Sequence, residues 1–259
     1  MRPKKSLGQN FLKSKRALAL IADVAQIEPT DTVLEIGPGK GALTAKLLEK
    51  VGRLIAVEKD DLLVPYLENL FAKEISLGKF HLIHADILET SVEKISLPTK
   101  YKLVANIPYY ITGALLRMFL SEKTPPTLMV LMLQKEVAKR IVARDKKESL
   151  LSLSVKAYGT PKYIETVKAM HFTPKPNVDS AILLIENISK NFFNKFTEEK
   201  FFSVIKAGFA HKRKMLVRNL ESEFEKKKIS ETFSICNIDP KARAEDITIE
   251  EWGCLAEKL

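Results

Sequence analysis

Cysteine is scarce in this sequence, with two residues among 259. Cys236 and Cys254 make neither a disulfide framework nor a Cys-x-x-Cys pair, which is typical of a protein kept in a reducing cytoplasm. Histidine is also rare. His81 and His84 lie three apart in a strand-like run, so they should point to opposite faces. These scarcities argue against a disulfide-stabilised secreted domain, and we expect no metal site.

Long apolar runs are missing as well. No stretch reaches the roughly 20 apolar residues that a membrane-spanning helix needs, and the first residues contain no apolar core of a signal peptide. A basic start without acids could belong to a transit peptide, but Gly8-Gln9-Asn10-Phe11-Leu12 has the character of a binding segment. We therefore expect a cytoplasmic protein without membrane contacts.

Acidic residues are absent from two parts of the chain. None precedes Asp23, whereas the basic residues before it are Arg2, Lys4, Lys5, Lys13, Lys15 and Arg16. The second acid-free stretch carries Lys206, Lys212, Arg213, Lys214 and Arg218. The formal net charge of +10 suits a polyanionic partner, although net charge alone decides nothing. Clusters of this kind create local fields that attract phosphates, so we predict a nucleic-acid partner.

The hydrophobic content of 46% is enough for a sizeable core in one α/β domain with a smaller appendage. Apolar periodicity predicts a helix over 15–26, capped by Ser14. Short β-prone runs then alternate with helical ones. The predicted strands cover 32–36, 53–57, 80–83, 102–105 and 127–133, and the helices cover 42–51 and 60–73, the latter capped by Asp60 or Asp61. Strands separated by helices imply a mostly parallel sheet wound on both sides.

The last part of the chain changes character. Two late strands, over 163–170 and 180–186, flank a short loop with prolines, which predicts an antiparallel hairpin at one edge of the sheet. Beyond Asn187, apolar residues recur at helical spacing instead; they are Phe201, Phe202, Ile205, Phe209, Leu216 and Leu220. We therefore predict an α/β catalytic domain over 1–188 and a helical domain over 189–259.

A glycine-rich turn follows the first long strand. Gly37-Pro38-Gly39-x-Gly41 lets the backbone approach a ligand closely at the start of a helix. The third glycine comes one residue too early for the Gly-x-Gly-x-x-Gly pattern of dinucleotide enzymes, which disfavours a nicotinamide cofactor. By itself the turn could equally be a tight structural loop.

Two acidic residues end the next strands. Glu58 comes about twenty residues after the turn, where a carboxylate can accept hydrogen bonds from both hydroxyls of a ribose. Asp86 follows the third strand and could accept a hydrogen bond from an adenine amine, although an ordinary helix cap is equally plausible locally. This succession resembles the S-adenosylmethionine site of class I methyltransferases. Ligands of parallel sheets bind at the carboxyl ends of the strands, so the placement is physically sensible.

A second motif, Asn106-Ile107-Pro108-Tyr109, follows a later strand. An exocyclic base nitrogen is a poor nucleophile because its lone pair is delocalised into the ring. The Asn106 Oδ1 atom and the Ile107 carbonyl could accept both of its N–H groups and stabilise the charge that develops on it. Pro108 keeps the turn stiff and Tyr109 offers a face for stacking. The motif therefore predicts methyl transfer to a base nitrogen, without a metal or a strong general base.

A base must leave its stack before it can react, and it then needs aromatic contacts. Phe172, in the run Phe172-Thr173-Pro174-Lys175-Pro176, is our candidate for a second aromatic face. The alternative is a core phenylalanine beside a proline-rich loop. Asn106 has an alternative too, since asparagine favours turns in general.

Taken together, these motifs closely resemble the small-subunit (16S) ribosomal RNA adenine dimethyltransferases of the KsgA type, almost from end to end. The matching segments are Gly8–Leu12, Glu35–Thr44, Asn106–Tyr109, Leu133–Val137, Phe172–Ala181, Phe209–Lys214 and Arg243–Asp246. The resemblance implies a class I, Rossmann-like methyltransferase fold with an all-α C-terminal domain that binds rRNA. It further implies that S-adenosylmethionine is the cofactor and that two adjacent adenosines in a 3′-terminal hairpin are each dimethylated during small-subunit biogenesis.

The resemblance also assigns site residues. Those implied for the cofactor are Gln9, Asn10, Leu12, Gly37, Gly39, Glu58, Lys59, Asp86, Ile87 and Asn106. Those implied around the target base are Asn106, Ile107, Pro108, Tyr109 and Phe172. Basic residues expected on the RNA are Lys4, Lys5, Lys212, Arg213, Lys214 and Arg218. The partner would be the immature small subunit, bound by a monomer.

The chain departs from the family pattern in three places. Ile107 replaces a leucine, which leaves the backbone carbonyl in place, Tyr110 stands where the family often has asparagine, and Leu151-Ser152 replaces Tyr-Gly. Two alternatives stay open. Related large-subunit adenine methylases of the macrolide-resistance type share both main motifs, although Val178–Ala181 and Arg243–Asp246 favour the small-subunit enzyme. An assembly factor that binds RNA without catalysis would also use the basic clusters.

Overall fold

The computed structural model describes residues 3–4, 7–143 and 145–259. Lys5, which we predicted to contact RNA, lies outside the described residues. The chain divides into two compact units, Met1–Ala138 with Pro161–Ile188, and Lys139–Thr160 with Ser189–Leu259. The segment 139–160, which the sequence pattern placed in the first domain, thus groups with the helices. Hydrogen bonds within the second unit attach it: the Glu148 N–H donates to the Glu245 carbonyl, and the Tyr158 hydroxyl donates to Glu198.

The first unit alternates strands and helices as predicted. Its strands are β1 (Phe11–Leu12), β2 (Thr32–Ile36), β3 (Arg53–Glu58), β4 (Phe80–His84), β5 (Lys102–Asn106), β6 (Leu128–Gln134), β7 (Thr160–Val167), β8 (Phe172–Thr173) and β9 (Ser180–Glu186). Its helices are α1 (Lys15–Val24), α2 (Ala42–Leu48), α3 (Leu63–Leu70), α4 (Ala72–Ser76) and α5 (Thr112–Leu120), and α6 (Lys135–Ile141) crosses into the second unit. Ser14 caps α1 by accepting the Ala17 N–H at 3.2 Å.

Seven strands form one sheet in the order β4-β3-β2-β5-β6-β9-β7. The pairs from β4 to β6 are parallel, whereas β9 runs antiparallel to β6, and β7 forms the edge beside β9. The mostly parallel sheet with a late antiparallel addition is therefore confirmed. Strand order reverses between β2 and β5, where Ile36 pairs with Ala105. This switch point brings the glycine turn and the Asn106 loop together.

The helix predicted over 60–73 begins later and is divided. The helix begins at Leu63 with Leu62 as its N-cap and no side-chain cap, so the predicted cap by Asp60 or Asp61 is wrong; the Asp60 carboxylate accepts the Leu62 N–H at 3.0 Å in the turn before the helix. Phe71 has φ −113°, outside the helical range, and separates α3 from α4. Its ring packs against Phe80 with 5.4 Å between centroids. Anchoring an aromatic side chain in the core thus interrupts the helical pattern.

The second unit holds α7 (Leu150–Lys156), α8 (Glu198–Gly208), α9 (Leu216–Leu220), α10 (Lys226–Ile235) and α11 (Ile249–Lys258). Its core includes fully buried Phe201, Leu216 and Trp252. No helix in the described part of the chain combines the length and apolarity needed to cross a membrane.

The two cysteines differ from our expectation. Cys236 and Cys254 form a disulfide, with their Cα atoms 5.8 Å apart. Cys236 directly follows α10 and Cys254 lies in α11, two helices that pack together in the second unit. Their sequence separation of 18 has no characteristic motif spacing, so only the packing of these helices brings the thiols together.

Candidate active site

A cavity of about 580 Å³ lies at the carboxyl ends of β2, β3 and β5. The turn after each strand contributes to its wall, with the glycine turn, Glu58 and the Asn106 loop all present. The segment after β4, the N-terminal segment 7–13 and the β8 strand also contribute to the lining. The residues predicted for the cofactor and for the target base therefore meet at one site.

The glycine turn leaves room for a ligand. Gly37 and Gly39 have φ +67° and +59°, a left-handed conformation that disfavours side chains. A Cβ atom at Gly37 would meet nothing within 4 Å, so its backbone faces open space. The Gly39 N–H donates to Glu58 Oε2 at 3.0 Å, which ties this turn to the end of β3.

Glu58 is buried at the end of β3. Besides the Gly39 N–H, it accepts the Asp60 N–H on Oε1 at 2.9 Å. Burial raises the pKa of Glu58, and these hydrogen bonds oppose the shift. A carboxylate has about four lone-pair positions, so two backbone bonds leave acceptor capacity for a diol.

Asp60 connects the N-terminal segment to the site, a role that sequence reasoning missed. Its carboxylate accepts Lys4 Nζ and Gln9 Nε2, both at 2.6 Å, while the Lys4 N–H donates to Gln9 Oε1 at 2.8 Å. Burial acts to raise the pKa of Asp60, but hydrogen bonds from Lys4, Leu62 and Gln9 outweigh it and hold the pKa below its usual value. Lys4 and Gln9, predicted to contact RNA and cofactor, thus have their side chains bound to Asp60. In the sequence, Asp60 was indicated only as a possible helix cap.

Asp86 follows β4, which β3 and β2 separate from β5 and its Asn106 loop in the strand order of the sheet. It forms an ion pair with Lys59 and accepts the Leu88 N–H on Oδ1 at 3.0 Å. Burial acts to raise the pKa of Asp86, yet the bonds from Lys59 and Leu88 lower it overall. The neighbouring Ile87 is buried and lines the cavity. The helix-cap alternative is wrong, because Asp86 begins a turn and no helix follows it directly; its carboxylate instead provides an ionised acceptor at the cavity wall.

Glu35 is, after Asp60, the second residue at the site to which the sequence analysis assigned no role. It appeared there only as part of the matching segment Glu35–Thr44. Its side chain is 1% exposed and lines the cavity. Within the described part of the chain, neither carboxyl oxygen has a hydrogen-bond partner. Burial raises the pKa of Glu35 to about 8; the nearby Thr44 hydroxyl offsets part of the shift, and the charge of Glu58 adds to it. A buried polar group in this state is typical of a ligand site.

Asn106 is held by the N-terminal segment. Its Nδ2 atom donates to the Asn10 carbonyl at 3.3 Å, and Asn10 Nδ2 donates to the Gly8 carbonyl at 3.1 Å. Because Nδ2 is engaged, Oδ1 is the amide atom available to accept a hydrogen bond from a ligand. Ile107 is buried, so its side chain anchors the loop while Pro108 stiffens it.

Tyr109 is half-buried and fixed at both ends. Its hydroxyl lies 2.7 Å from Ser180 Oγ, and its carbonyl accepts the Thr112 hydroxyl at 3.0 Å. Burial raises the pKa of Tyr109, which keeps the ring neutral. Sequence reasoning did not find Ser180 as a partner, although it lies in the matching Phe172–Ala181 segment.

Phe172 is a wall of the cavity and a core residue at once. It is 2% exposed and belongs to the same apolar core as Leu12 and Leu18. Pairing of β8 with β1 places it opposite Leu12. The alternative that Phe172 is a core phenylalanine therefore accounts for most of its surface, although the residue also lines the cavity.

The basic residues of the second unit form an exposed cluster, Lys212-Arg213-Lys214, between α8 and α9. Buried Asn219 shapes this loop, since its Nδ2 atom donates to the carbonyls of Gly208 and His211 at 2.5 and 3.1 Å. Arg218 instead pairs with Glu221 at 3.0 Å. Among the described residues, no group of three or more His, Cys, Asp or Glu could hold a metal ion.

A mostly parallel sheet with a glycine turn, acidic residues at the next strand ends and an Asn-x-Pro-Tyr loop at the switch point defines a class I S-adenosylmethionine-dependent methyltransferase. The sequence matches the family Ribosomal RNA adenine dimethylase over residues 1–259. The chain belongs to this family.

Curated relatives and solved structures agree with this assignment. The chain is 45% identical over 255 residues to ribosomal RNA small subunit methyltransferase A of Dehalococcoides mccartyi strain CBDB1, covering 97% of this chain and 87% of the relative. It is 38% identical to the protein of that name from Clostridium botulinum, with 98% and 92% covered. A dimethyladenosine transferase structure from Plasmodium falciparum is 25% identical with a TM-score of 0.81, covering 95% of each chain.

Proposed function

We propose that this protein transfers methyl groups from S-adenosylmethionine to N6 of two adjacent adenosines in the 3′-terminal hairpin of 16S rRNA, and dimethylates each. The observation that carries the proposal is the placement of Asn106 beside the glycine turn in one cavity. A large-subunit methylase would share this site. The curated relatives, named for the small subunit, support the small-subunit substrate.

The cavity fits the cofactor residue by residue. Gly37, which faces open space, allows the methionine end to approach the backbone, with Asn10 and Leu12 covering it. Unpartnered Glu35 offers a buried acid to the cationic end of the cofactor. The ribose-binding acid is Glu58, and Asp86 with Ile87 and Lys59 borders the adenine. The sulfonium supplies an already activated methyl group when it is bound.

The chain's own part in the chemistry is orientation and charge stabilisation. In the first transfer, Asn106 Oδ1 and the Ile107 carbonyl accept the two N–H groups of the adenine amine and direct its lone pair; in the second transfer, the methylated amine has one N–H left for them to accept. Positive charge grows on that nitrogen during transfer, so fixed acceptor dipoles stabilise the transition state more than the ground state. Tyr109 holds the ring of the base, and Phe172 closes the apolar side of the pocket.

RNA binding is assigned mainly to basic residues of the helical unit. The exposed cluster Lys212-Arg213-Lys214 in the helical unit provides the main phosphate contacts, with Arg218 a weaker contributor because it pairs with Glu221. Lys4 acts chiefly by holding the N-terminal segment on Asp60. The protein works as a monomer on the immature small subunit.

The decisive experiment is incubation of the purified protein with labelled S-adenosylmethionine and unmethylated small or large ribosomal subunits, followed by mapping of modified adenosines. Dimethyladenosine at two adjacent positions of the terminal small-subunit hairpin is the expected result. Label in the large subunit would instead identify a resistance-type enzyme. Tight small-subunit binding without label would identify a non-catalytic assembly factor.

A further inference from the structure

Tyr110 is an exposed aromatic side chain at the rim of the cavity. Its side chain is 64% exposed, although it lines the same cavity as Asn106 and Tyr109. In the described part of the chain, it is the one strongly exposed large hydrophobic residue that lines this cavity. Single exposed hydrophobics elsewhere on a surface need no explanation, but this one stands beside the methyl-acceptor residues.

The backbone directs Tyr109 and Tyr110 differently. Both lie in the 3₁₀ turn Tyr109–Ile111, where successive side chains point about 120° apart. Tyr109 turns inward to Ser180, whereas Tyr110 turns outward. The Ile111 N–H donates to the Pro108 carbonyl at 3.2 Å, so the turn holds both rings in place.

Gly8 supports the Tyr110 ring from one side. A Cβ atom on Gly8 would lie 3.3 Å from both Cδ1 and Cε1 of Tyr110, closer than most side-chain contacts. Gly8 also has φ +60°, so a side chain there would be strained. The absence of a side chain at Gly8 therefore lets the ring rest on the N-terminal segment, and the rest of the ring stays open to a ligand.

We propose that Tyr110 is the stacking platform for the base of a nucleotide next to the target adenosine. The inference rests on the proposed function. A target base that enters beside Tyr109 leaves its neighbour on the same strand at the rim, because consecutive nucleotides are tethered through one phosphate. The outward ring of Tyr110, one residue after Tyr109, can stack on the base of that neighbouring nucleotide. Such stacking is tolerant of base identity. Where two adjacent adenosines are methylated in turn, the platform holds one while the other reacts.

The test compares RNA binding by Tyr110→Ala, Tyr110→Phe and the wild type. The RNA is a hairpin with two adjacent adenosines, titrated with S-adenosylhomocysteine present so that no methyl is transferred. We expect Tyr110→Ala to weaken binding about 5- to 150-fold, the range for loss of one stacked base. Tyr110→Phe should bind like the wild type because the ring is kept. Tyr66→Ala, at an exposed tyrosine on α3 outside the cavity, is the matched control and should have no effect.

A second arm identifies the base. Two hairpins each lack the base of one nucleotide flanking the target, and one of them should bind the wild type as weakly as the intact hairpin binds Tyr110→Ala. Combining that hairpin with Tyr110→Ala should add no further loss. Fully additive losses with both hairpins would overturn the proposal, as would a Tyr110→Ala variant that loses affinity for S-adenosylhomocysteine but not for RNA. These titrations need no turnover, so failure of the wild type to methylate the small subunit would refute the proposed function separately.

Discussion

The hydroxyl of Tyr109 lies 2.7 Å from Oγ of Ser180, a fully buried serine 71 positions later in the chain. This contact joins the loop after β5 to the start of β9 and sets the position of the ring beside Asn106. Because β9 pairs with β6 next to β5, the contact depends on the antiparallel addition to the sheet. The late strand pair therefore helps to shape the acceptor pocket as well as closing the sheet.

Replacement of Ser180 tests this relationship. Ser180→Ala removes a single hydrogen bond, so we expect kcat/KM for rRNA to fall about 2- to 13-fold, the equivalent of roughly 0.5–1.5 kcal/mol. Tyr109→Phe should fall by the same factor, and the double variant should fall no further. Steady-state kinetics would measure this, with Ser76→Ala on the exposed end of α4 as the control. Additive losses in the double variant would show that the two hydroxyls act independently.

Asn106→Ala should abolish methylation while leaving cofactor binding largely intact. The change removes an acceptor dipole that acts on the transition state, and losses of about 100-fold or more are typical for such groups. Single-turnover rates and calorimetric titration with S-adenosylhomocysteine would separate the two effects. Asn69→Ala, at an exposed position of α3, serves as the control. Turnover of Asn106→Ala at the wild-type rate would remove Asn106 from the acceptor site.

Glu35 should make the stability of the cofactor-free protein depend on pH. Its pKa is about 8 in the folded protein and 4.5 as an ordinary glutamate, so between these values the folded state keeps a proton that the unfolded chain loses. The free energy of unfolding should therefore fall as pH rises from 4.5 to about 8, by at most about 1.4 kcal/mol per pH unit, and then level off. Chemical denaturation at several pH values would measure the slope.

The matched variant is Glu35→Gln, which cannot ionise and should lose this component of the slope. Glu68→Gln, on the exposed face of α3, should keep the wild-type slope. A cationic cofactor favours the ionised carboxylate, so its binding at pH 7 should release a proton, which calorimetry in buffers of different ionisation enthalpy would detect. Identical slopes for the wild type and Glu35→Gln would mean that Glu35 is ionised in the folded protein.

Replacing Lys212, Arg213 and Lys214 together with alanine should weaken RNA binding uniformly across sequences. Each lost phosphate contact lowers the salt slope of log K by about 0.7–0.9, so the slope should decrease by about 2. Fluorescence titrations from low to moderate salt would measure this salt slope. A triple variant of exposed Lys226, Lys227 and Lys241 keeps the same net charge change and should retain the slope. An unaltered slope in the first variant would place the RNA elsewhere.

Features that depend on neighbouring residues could be predicted from the sequence. Ser14 caps α1 and β2 spans Thr32–Ile36 as expected, because apolar periodicity and capping are local. The glycine turn and the Asn106 loop fall at adjacent strand ends because parallel strands bring their carboxyl ends to one edge. The class of fold and the placement of the site both follow from these local patterns.

Contacts between distant segments were decided by tertiary packing. Asp60 binds Lys4 and Gln9 more than fifty positions away, and Ser180 contacts Tyr109. No motif spacing in the sequence indicates any of these contacts. The Cys236–Cys254 disulfide and the grouping of 139–160 with the helices are of the same kind. A side chain's partner depends on which surfaces the sheet and the helices bring together, and that is a property of the whole fold. The residues that line the cavity could therefore be predicted from the sequence, whereas the contacts that hold them in place depend on how distant segments pack in the folded chain.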